Sequence, residues 1–122
     1  MGKEKKTVVL GVSEKPDRYA NKAVKKLLQA EIPVVAVGYK AGEIGKTPIQ
    51  TDFPKNEDIH TVTLYLSKKN QLDYYEDIVD LSPQRVIFNP GTYNEDLEEL
   101  LKENNIPFEH ACTLVLLSSN NY

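Results

Sequence analysis

The sequence is poor in the residues that build disulfides and metal sites: it has a single cysteine, Cys112, and only two histidines. One cysteine cannot form an intramolecular disulfide, and the sequence contains no Cys-x-x-Cys pair or histidine cluster of the kind that binds zinc. This usage agrees with a reducing cytoplasm, where we expect the protein to reside. A chain of 122 residues can bury enough surface to fold without such staples. We therefore expect residues 1–122 to form one domain.

Long apolar runs and basic stripes are also missing. No segment approaches the roughly 18 apolar residues of a membrane span, and the amino terminus lacks the pattern of a signal peptide. The net charge is -3, with acidic residues concentrated in 73–80 and 95–103. A small basic tail of Lys3, Lys5 and Lys6 is more typical of a solubilising segment than of a nucleic-acid site. Membrane and nucleic-acid partners are thus not expected.

Apolar segments alternate with helical patterns along the chain. Buried-type strands are predicted at 7–12, 33–37, 61–66, 85–88 and 106–110. Helical spacing of apolar residues appears in the sets Ala20, Val24, Leu27 and Leu28; Leu72, Tyr75, Ile78 and Val79; and Leu97, Leu100 and Leu101. Ser82-Pro83 is expected to end the second of these helices, and Asn94, followed by Glu95 and Asp96, is expected to cap the third. A long loop is expected over 38–59, and 113–117 is predicted to be either a short helix or an edge strand.

This alternation predicts an α/β fold: a doubly wound, Rossmann-like sheet of five parallel strands in the order 3-2-1-4-5 with right-handed crossovers. Strand 1, the apolar segment 7–12, is expected to be central. Ligands of such sheets bind outside the carboxyl ends of the strands, where the strand order reverses. The segments that follow each strand therefore form the candidate site.

The turn after strand 1, Gly11-Val12-Ser13, is typical of a loop that binds phosphate. Glycine lets the backbone approach a ligand closely, and Ser13 offers a hydroxyl and an N–H where the next helix begins. The full dinucleotide fingerprint G-x-G-x-x-G would need glycines at the positions of Ser13 and Pro16. From these residues alone, a tight strand-to-helix turn without a ligand remains an alternative.

The segment after strand 2, Val37-Gly38-Tyr39-Lys40, favours a phosphorylated ribose. A domain that binds NAD normally places an acid here to hold the ribose hydroxyls. Lys40 would instead attract a phosphate, assisted by Lys15 and Arg18. Two cofactors carry such a phosphate: coenzyme A (CoA) on the 3' position and NADP on the 2' position.

The whole pattern resembles the small CoA-binding domain family, the stand-alone relatives of the CoA-binding domain of succinyl-CoA synthetase and ADP-forming acyl-CoA ligases. The resemblance spans 7–112 and rests on Gly11-Val12-Ser13, Val37-Gly38-Tyr39-Lys40, Ile44-Gly45, Leu66-Ser67-Lys68, Asn89-Pro90-Gly91 and Cys112. The chain departs from the family in having Gly38-Tyr39 where Asn-Pro is usual, and Ser67-Lys68 where Arg-Pro is common.

The resemblance implies a cofactor site with the pyrophosphate on backbone N–H groups near Ser13. Together with the residues after strands 1 and 2, it gives the candidate binding residues Gly11, Val12, Ser13, Lys15, Arg18, Gly38, Tyr39, Lys40, Ser67, Asn89, Pro90 and Gly91. The ligases use a catalytic histidine in another domain, so the resemblance carries over binding and not ligation. No metal ligand is expected.

We therefore expect a module that binds CoA and has no catalytic machinery of its own, acting as a carrier or regulatory protein for a partner not identifiable from the sequence. His110 and Cys112 resemble a base beside a nucleophile, but without an orienting group they are better explained by packing. The alternatives are an NADP-binding module without a substrate domain, and a Rossmann scaffold that binds proteins and no nucleotide.

Overall fold

In the part of the chain that the structure describes, seven strands form one sheet, and helices pack against both of its faces. The structure is a computed structural model that describes residues 5–122; Lys3 of the predicted basic tail lies outside them. The strands are β1 (Thr7–Val12), β2 (Val34–Gly38), β3 (Gly42–Ile44), β4 (Thr47–Gln50), β5 (Thr61–Leu64), β6 (Arg85–Phe88) and β7 (Phe108–His110). The helices are α1 (Tyr19–Gln29), α2 (Lys68–Gln71), a 3-10 turn (Leu72–Tyr74), α3 (Tyr75–Leu81), α4 (Glu95–Glu103) and α5 (Thr113–Ser118).

The strand order differs from the predicted one. The strands lie in the order β3-β4-β2-β1-β5-β6-β7, and neighbouring strands are parallel except for the antiparallel pair β3 and β4. The third predicted strand, 61–66, was expected beside strand 2 at the edge. It forms β5 instead and pairs with β1. The prediction of a five-stranded sheet in the order 3-2-1-4-5 was therefore wrong, although β1 is central as expected.

The difference comes from the segment that was predicted to be a loop. Within 38–59 the chain forms the hairpin of β3 and β4, and β4 adds to the free edge of β2 in parallel, with Ala36 opposite Ile49. The hairpin occupies the place expected for the third strand, so β5 must pair on the other side of β1. Sequence analysis did not predict β4 because it contains Pro48, and proline usually marks a break in a sheet.

The two faces of β1 supply two separate cores. Val8 and Leu10 pack with residues of α3 and α4, whereas Val9 and Val12 pack with residues of α1. In a regular strand Val9 and Val12 would point to opposite faces. They share one face because the pairing register shifts between Leu10 and Val12, which makes Gly11 the bulged residue.

Most predicted helices are present, but two residues of the predicted apolar sets, Leu28 and Leu72, are exposed. Asn94 caps α4 as expected, its side-chain oxygen accepting hydrogen bonds from the N–H groups of Asp96 and Leu97 at 3.1 and 3.2 Å. Segment 113–117 belongs to a helix, α5, and not to an edge strand. Leu72 was expected to face the core with Ile78, but it is 64% exposed because it begins a 3-10 turn that breaks the helical spacing.

Candidate functional site

A cavity of about 630 Å³ opens at the carboxyl ends of β1, β2 and β5. This is where the strand order reverses around β1, as expected for a doubly wound sheet. The neighbour of β1 at the reversal is β5, whereas the prediction had placed the fourth strand there. The predicted residues that line the cavity are Gly11, Val12, Ser13, Lys15, Arg18, Gly38, Tyr39 and Lys40.

Gly11 is required by the fold at the base of this cavity. Its φ is +105°, a conformation that residues with a side chain rarely adopt, and a Cβ there would lie 3.0 Å from the carbonyl oxygen of Tyr65 and from a methyl group of Leu66. The sequence analysis explained Gly11 by close approach of a ligand. The structure adds a second reason: the missing side chain makes room for the segment after β5.

The loop between β1 and α1 is held in a defined shape. The hydroxyl of Ser13 accepts a hydrogen bond from the N–H of Lys15 at 3.1 Å, and the side-chain amide of Asn21 donates to the carbonyl oxygen of Ser13 at 2.9 Å. Asn21 is buried in the first turn of α1. These contacts fix the loop before any ligand arrives, which lowers the entropic cost of binding.

The amino end of α1 has the features of an anion site. Its N-cap residue, Arg18, makes no side-chain capping bond, and its first turn contains no acid. The first turn of α4, by contrast, is capped by Asn94 and carries Glu95, Asp96 and Glu98. Free N–H groups and the positive end of the helix dipole attract an anion at such a position. Since Ser13, Arg18 and Tyr19 line the cavity, this helix end faces it.

Charges of both signs border the cavity. Lys15, Arg18 and Lys40 are exposed cations on two adjacent loops. Two acids also line it: Glu14 beside the cations, and Asp73 in the 3-10 turn. The cations and the helix end favour a polyanion on the β1 and β2 side of the cavity.

Tyrosines form much of the remaining wall. Tyr39 is 86% exposed and Tyr19 is 68% exposed, with Lys22 Nζ 5.4 Å from the centre of the Tyr19 ring. Tyr74 packs against Phe53 with ring centres 6.0 Å apart. Its pKa is raised by partial burial and by the nearby Asp73 and Tyr39. These rings offer flat apolar surfaces on which a base could stack.

Tyr65 lines the floor of the cavity and carries an isolated hydroxyl. Within residues 5–122 this hydroxyl is buried and has no hydrogen-bond partner. The nearby hydroxyls of Thr63 and Thr113 instead bond each other at 2.7 Å. Burial raises the pKa of Tyr65 to about 12, so the phenol is neutral at physiological pH.

Four predicted residues do not line the cavity: Ser67, Asn89, Pro90 and Gly91. Ser67 is the exposed N-cap residue of α2. Asn89 is 2% exposed, and its side chain bonds other parts of the fold. Gly91 has a φ of +88° and serves the turn after β6. These four residues were predicted from the resemblance and from their positions after strands; β6, which precedes Asn89, is separated from β1 by β5.

Several cavity residues were missed by sequence analysis: Tyr65, Leu66, Asn70, Asp73 and Tyr74. Tyr65 and Leu66 were assigned to the end of a strand predicted over 61–66, but β5 ends at Leu64. Asp73 and Tyr74 were read as parts of a regular helix. The available signal was the position of these residues after an apolar strand, because ligands of such sheets bind beyond the carboxyl ends of the strands.

His110 and Cys112 do not form a catalytic pair in the cavity. A ring nitrogen of His110 lies 2.9 Å from the carboxylate of Glu98, and its ring stacks on Tyr93 at 4.2 Å. Cys112 is the half-buried residue before α5. Neither lines the cavity. Within residues 5–122, no group of three or more His, Cys, Asp or Glu side chains is placed to hold a metal ion.

None of the helices in the described part of the chain is long and apolar enough to cross a membrane.

Comparison with known proteins gives both a family and a fold. The family model described as "CoA binding domain" matches residues 5–118. A crystal structure of an uncharacterized protein is 45% identical, with a TM-score of 0.93 over 97% of this chain and 98% of that chain. A hypothetical protein from Pyrococcus horikoshii OT3 is 25% identical, with a TM-score of 0.86 over 94% and 82%.

A protein from Thermus thermophilus is 20% identical, with a TM-score of 0.85 over 97% of this chain and 90% of that chain, and shares the fold. No curated protein matches the sequence.

Proposed function

The chain belongs to the CoA-binding domain family, and from this premise we propose that it binds CoA or an acyl-CoA in the cavity at the carboxyl end of β1. The observation that carries the proposal is the amino end of α1: it has no side-chain cap and no acid in its first turn, and it opens onto a cavity bordered by cations. An anion is the natural partner of such a helix end.

In this proposal the pyrophosphate of CoA lies against the loop of Ser13 and the first turn of α1. The contacts of Asn21 and Lys15 with Ser13 already hold this loop in shape. Backbone N–H groups then bind the phosphates without a large rearrangement. The bulge at Gly11 directly precedes this loop and determines the direction in which the chain leaves β1.

The ribose phosphate lies near Lys40, with Lys15 or Arg18 as the second cation. All three side chains are exposed on the cavity wall and are free of the acids with which other lysines of residues 5–122 form ion pairs. A phosphate dianion between two such cations is favoured over a bare ribose. This explains why a lysine follows β2 where NAD domains have an acid.

The adenine ring is proposed to stack on the tyrosines of the cavity, chiefly the exposed Tyr39. A cavity of about 630 Å³ lies within the usual range for ligand sites. The pantetheine arm then extends toward β5 and Tyr74. A ligand bound in this way fills the cavity and covers the rings that are otherwise exposed to water.

The protein is proposed to hold CoA for another protein, as a carrier or regulatory module. The residues that line the cavity include tyrosines, acids and amides but neither His110 nor Cys112. We therefore propose that the cavity only binds CoA and that any reaction of the bound CoA is catalysed by a partner protein. Its place in the cell is proposed to be the cytoplasm, in agreement with its single cysteine.

The test is a ligand panel with thermal unfolding and calorimetry, using CoA, 3'-dephospho-CoA, NADP and NAD. With all four ligands at one common concentration, we expect CoA to stabilise the protein most, by about 2.7 kcal/mol when that concentration is 100 times the Kd of CoA. Stronger stabilisation by NADP would replace the proposal with a dinucleotide site. Stabilisation by none of the four ligands would contradict nucleotide binding and favour a protein-binding scaffold.

A further inference from the structure

The three residues Tyr39, Lys40 and Ala41 connect β2 to the hairpin and are anchored at both ends to the β1–α1 segment. Resting on the function proposed above, we infer that Glu14 is a positioning residue: it holds this connection so that Lys40 lies at a fixed distance from the amino end of α1. The site would then select a ligand by the separation of its two phosphate groups.

The first anchor joins Gly38 to Val12. These residues are register partners across β1 and β2, and a Cβ on Gly38 would lie only 2.1 Å from the carbonyl oxygen of Val12. The strands can approach this closely only because residue 38 is glycine. The start of the connection is therefore fixed against the loop that is proposed to bind pyrophosphate.

The second anchor joins Glu14 to the hairpin. Its carboxylate accepts a hydrogen bond of 3.0 Å from the backbone N–H of Glu43. A Cβ on Gly42 would lie 2.5 Å from the carboxylate carbon of Glu14. Gly42 therefore makes room for this side chain. β3 is the outermost strand of the sheet, so the contact satisfies an N–H group at an edge.

The negative charge of Glu14 favours a positioning role over direct contact with the ligand. Glu14 lines a cavity that also presents Lys15, Arg18 and Lys40, and a free carboxylate there would repel a phosphate. Because the carboxylate is hydrogen-bonded to the hairpin, it holds two segments of the chain together. It joins the β1–α1 loop, which carries Lys15 and Arg18, to the hairpin that follows Lys40.

A rigid connection makes Lys40 selective. If Lys40 moved freely on a loose loop, it would follow any phosphate and contribute little discrimination, because ordering a lysine side chain costs conformational entropy. Fixed between two anchors, it favours a ligand whose second phosphate lies at the matching distance from the pyrophosphate. CoA has that second phosphate and 3'-dephospho-CoA lacks it.

The experiment measures Kd for CoA and for 3'-dephospho-CoA in wild type, Glu14→Ala, Glu14→Gln and Gly42→Ala. Amide hydrogen exchange of segment 39–44 is followed in the same proteins. We expect Glu14→Ala and Gly42→Ala to speed exchange and to reduce the preference for CoA by about twofold to fivefold. Glu14→Gln keeps an acceptor for the N–H of Glu43, so it should retain both the protection and the preference.

A double variant with Lys40→Ala separates positioning from general damage. If Glu14 acts through Lys40, adding Glu14→Ala to Lys40→Ala changes the preference no further. If Glu14→Ala reduces the preference for CoA equally in wild type and in Lys40→Ala, the inference is wrong. It is also wrong if Glu14→Ala and Glu14→Gln both bind both ligands more tightly, because the Glu14 carboxylate then acts only by repelling phosphate.

The exchange data distinguish this inference from the proposed function. Unchanged exchange of 39–44 in Glu14→Ala and Gly42→Ala contradicts the anchor whether or not CoA binds. If exchange is faster in Glu14→Ala and Gly42→Ala but wild type binds neither CoA nor 3'-dephospho-CoA, the proposed function and the role in selectivity are both wrong. The contact between Glu14 and the hairpin is then still established.

Discussion

The side-chain oxygen of Asn89 accepts a hydrogen bond of 2.8 Å from the backbone N–H of Thr113. The amide nitrogen of the same side chain donates to the hydroxyl of Thr63 at 2.7 Å and to the carbonyl oxygen of Leu64 at 2.8 Å. One buried amide thus joins the ends of β5 and β6 to the start of α5. This explains the Asn-Pro-Gly turn by the fold itself.

Replacing Asn89 with alanine is expected to lower the free energy of unfolding by about 2 to 3 kcal/mol, because the N–H of Thr113 and the hydroxyl of Thr63 lose a buried partner. Denaturant unfolding measures the change. Asn104→Ala is the matched control, since Asn104 is exposed and its side chain bonds the carbonyl oxygen of Leu100 at the end of α4. Similar stabilities for the two variants would contradict the structural role of Asn89.

Lys40→Ala is expected to weaken CoA binding by about fivefold and to leave 3'-dephospho-CoA binding nearly unchanged, since an exposed charged contact contributes up to about 1 kcal/mol. The difference should shrink at high salt because the contact is screened. Calorimetry with both ligands at two salt concentrations measures it.

The control for this variant is Lys25→Ala, which removes an exposed lysine from α1 that does not line the cavity. It changes the net charge by the same amount and should not alter the preference for CoA. If wild type binds both ligands equally, or if Lys25→Ala narrows the difference as much as Lys40→Ala, no phosphate is bound at Lys40.

Gly11→Ala is expected to cost about 2 kcal/mol or more of stability, because a Cβ adds strain at a φ of +105° and meets the segment after β5. Gly45→Ala should cost about 1 kcal/mol, since Gly45 has a φ of +59° and a Cβ there would meet no atom within 4 Å. Thermal unfolding of the two variants compares them. Equal losses would mean that the contact with Tyr65 and Leu66 contributes nothing.

The hydroxyl of Tyr65 makes the free energy of unfolding depend on pH in the alkaline range. Burial raises its pKa to about 12 from the ordinary 10.0, so the folded state favours the neutral phenol. This contribution is fully present below about pH 10 and is lost as the pH rises through about 12. We expect Tyr65→Phe to flatten the decline of unfolding free energy over that range.

Tyr122→Phe serves as the comparison for Tyr65, because burial also raises the pKa of Tyr122 while its hydroxyl bonds Thr7 at 2.5 Å. At neutral pH, Tyr65→Phe should be neutral or stabilising, since it removes a buried hydroxyl without a partner. Tyr122→Phe should destabilise. The opposite order of stabilities would contradict the assignment of the isolated hydroxyl.

Cys112→Ser is expected to leave the affinity for CoA unchanged, because Cys112 does not line the cavity. Calorimetry measures the affinity, and alkylation of the wild-type thiol at neutral pH should be slow for a half-buried residue. Rapid alkylation that CoA blocks, or loss of CoA binding in Cys112→Ser, would place this thiol in the site after all.

Local chemistry was sufficient to predict much of the fold. The apolar runs located β1 and β6 to the residue, and Asn94 with the acids after it located the start of α4. These features depend on neighbours in sequence: side-chain spacing, a capping side chain and the turn propensity of Ser82-Pro83. The strand ends that carry Gly11, Ser13 and Lys40 were predicted from the same signals.

The cavity as a whole was not predictable in the same way. Its far wall, with Tyr65, Asp73 and Tyr74, follows β5, and the choice of neighbour for β1 depends on whether the hairpin of β3 and β4 occupies the edge of β2. That choice is a competition between strands distant in sequence. Asn89 was predicted for the site from the family resemblance and from the expected place of its strand beside β1, a place that β5 occupies.

By itself the sequence determined that strands and helices alternate, that a glycine and a serine follow the first strand, and that lysine replaces an acid after the second, because each of these is a matter of adjacent residues. Only the tertiary structure decided which strands are neighbours and why three glycines are needed. Gly11, Gly38 and Gly42 are required by close contacts with Tyr65, Val12 and Glu14, which come together only when the sheet has formed.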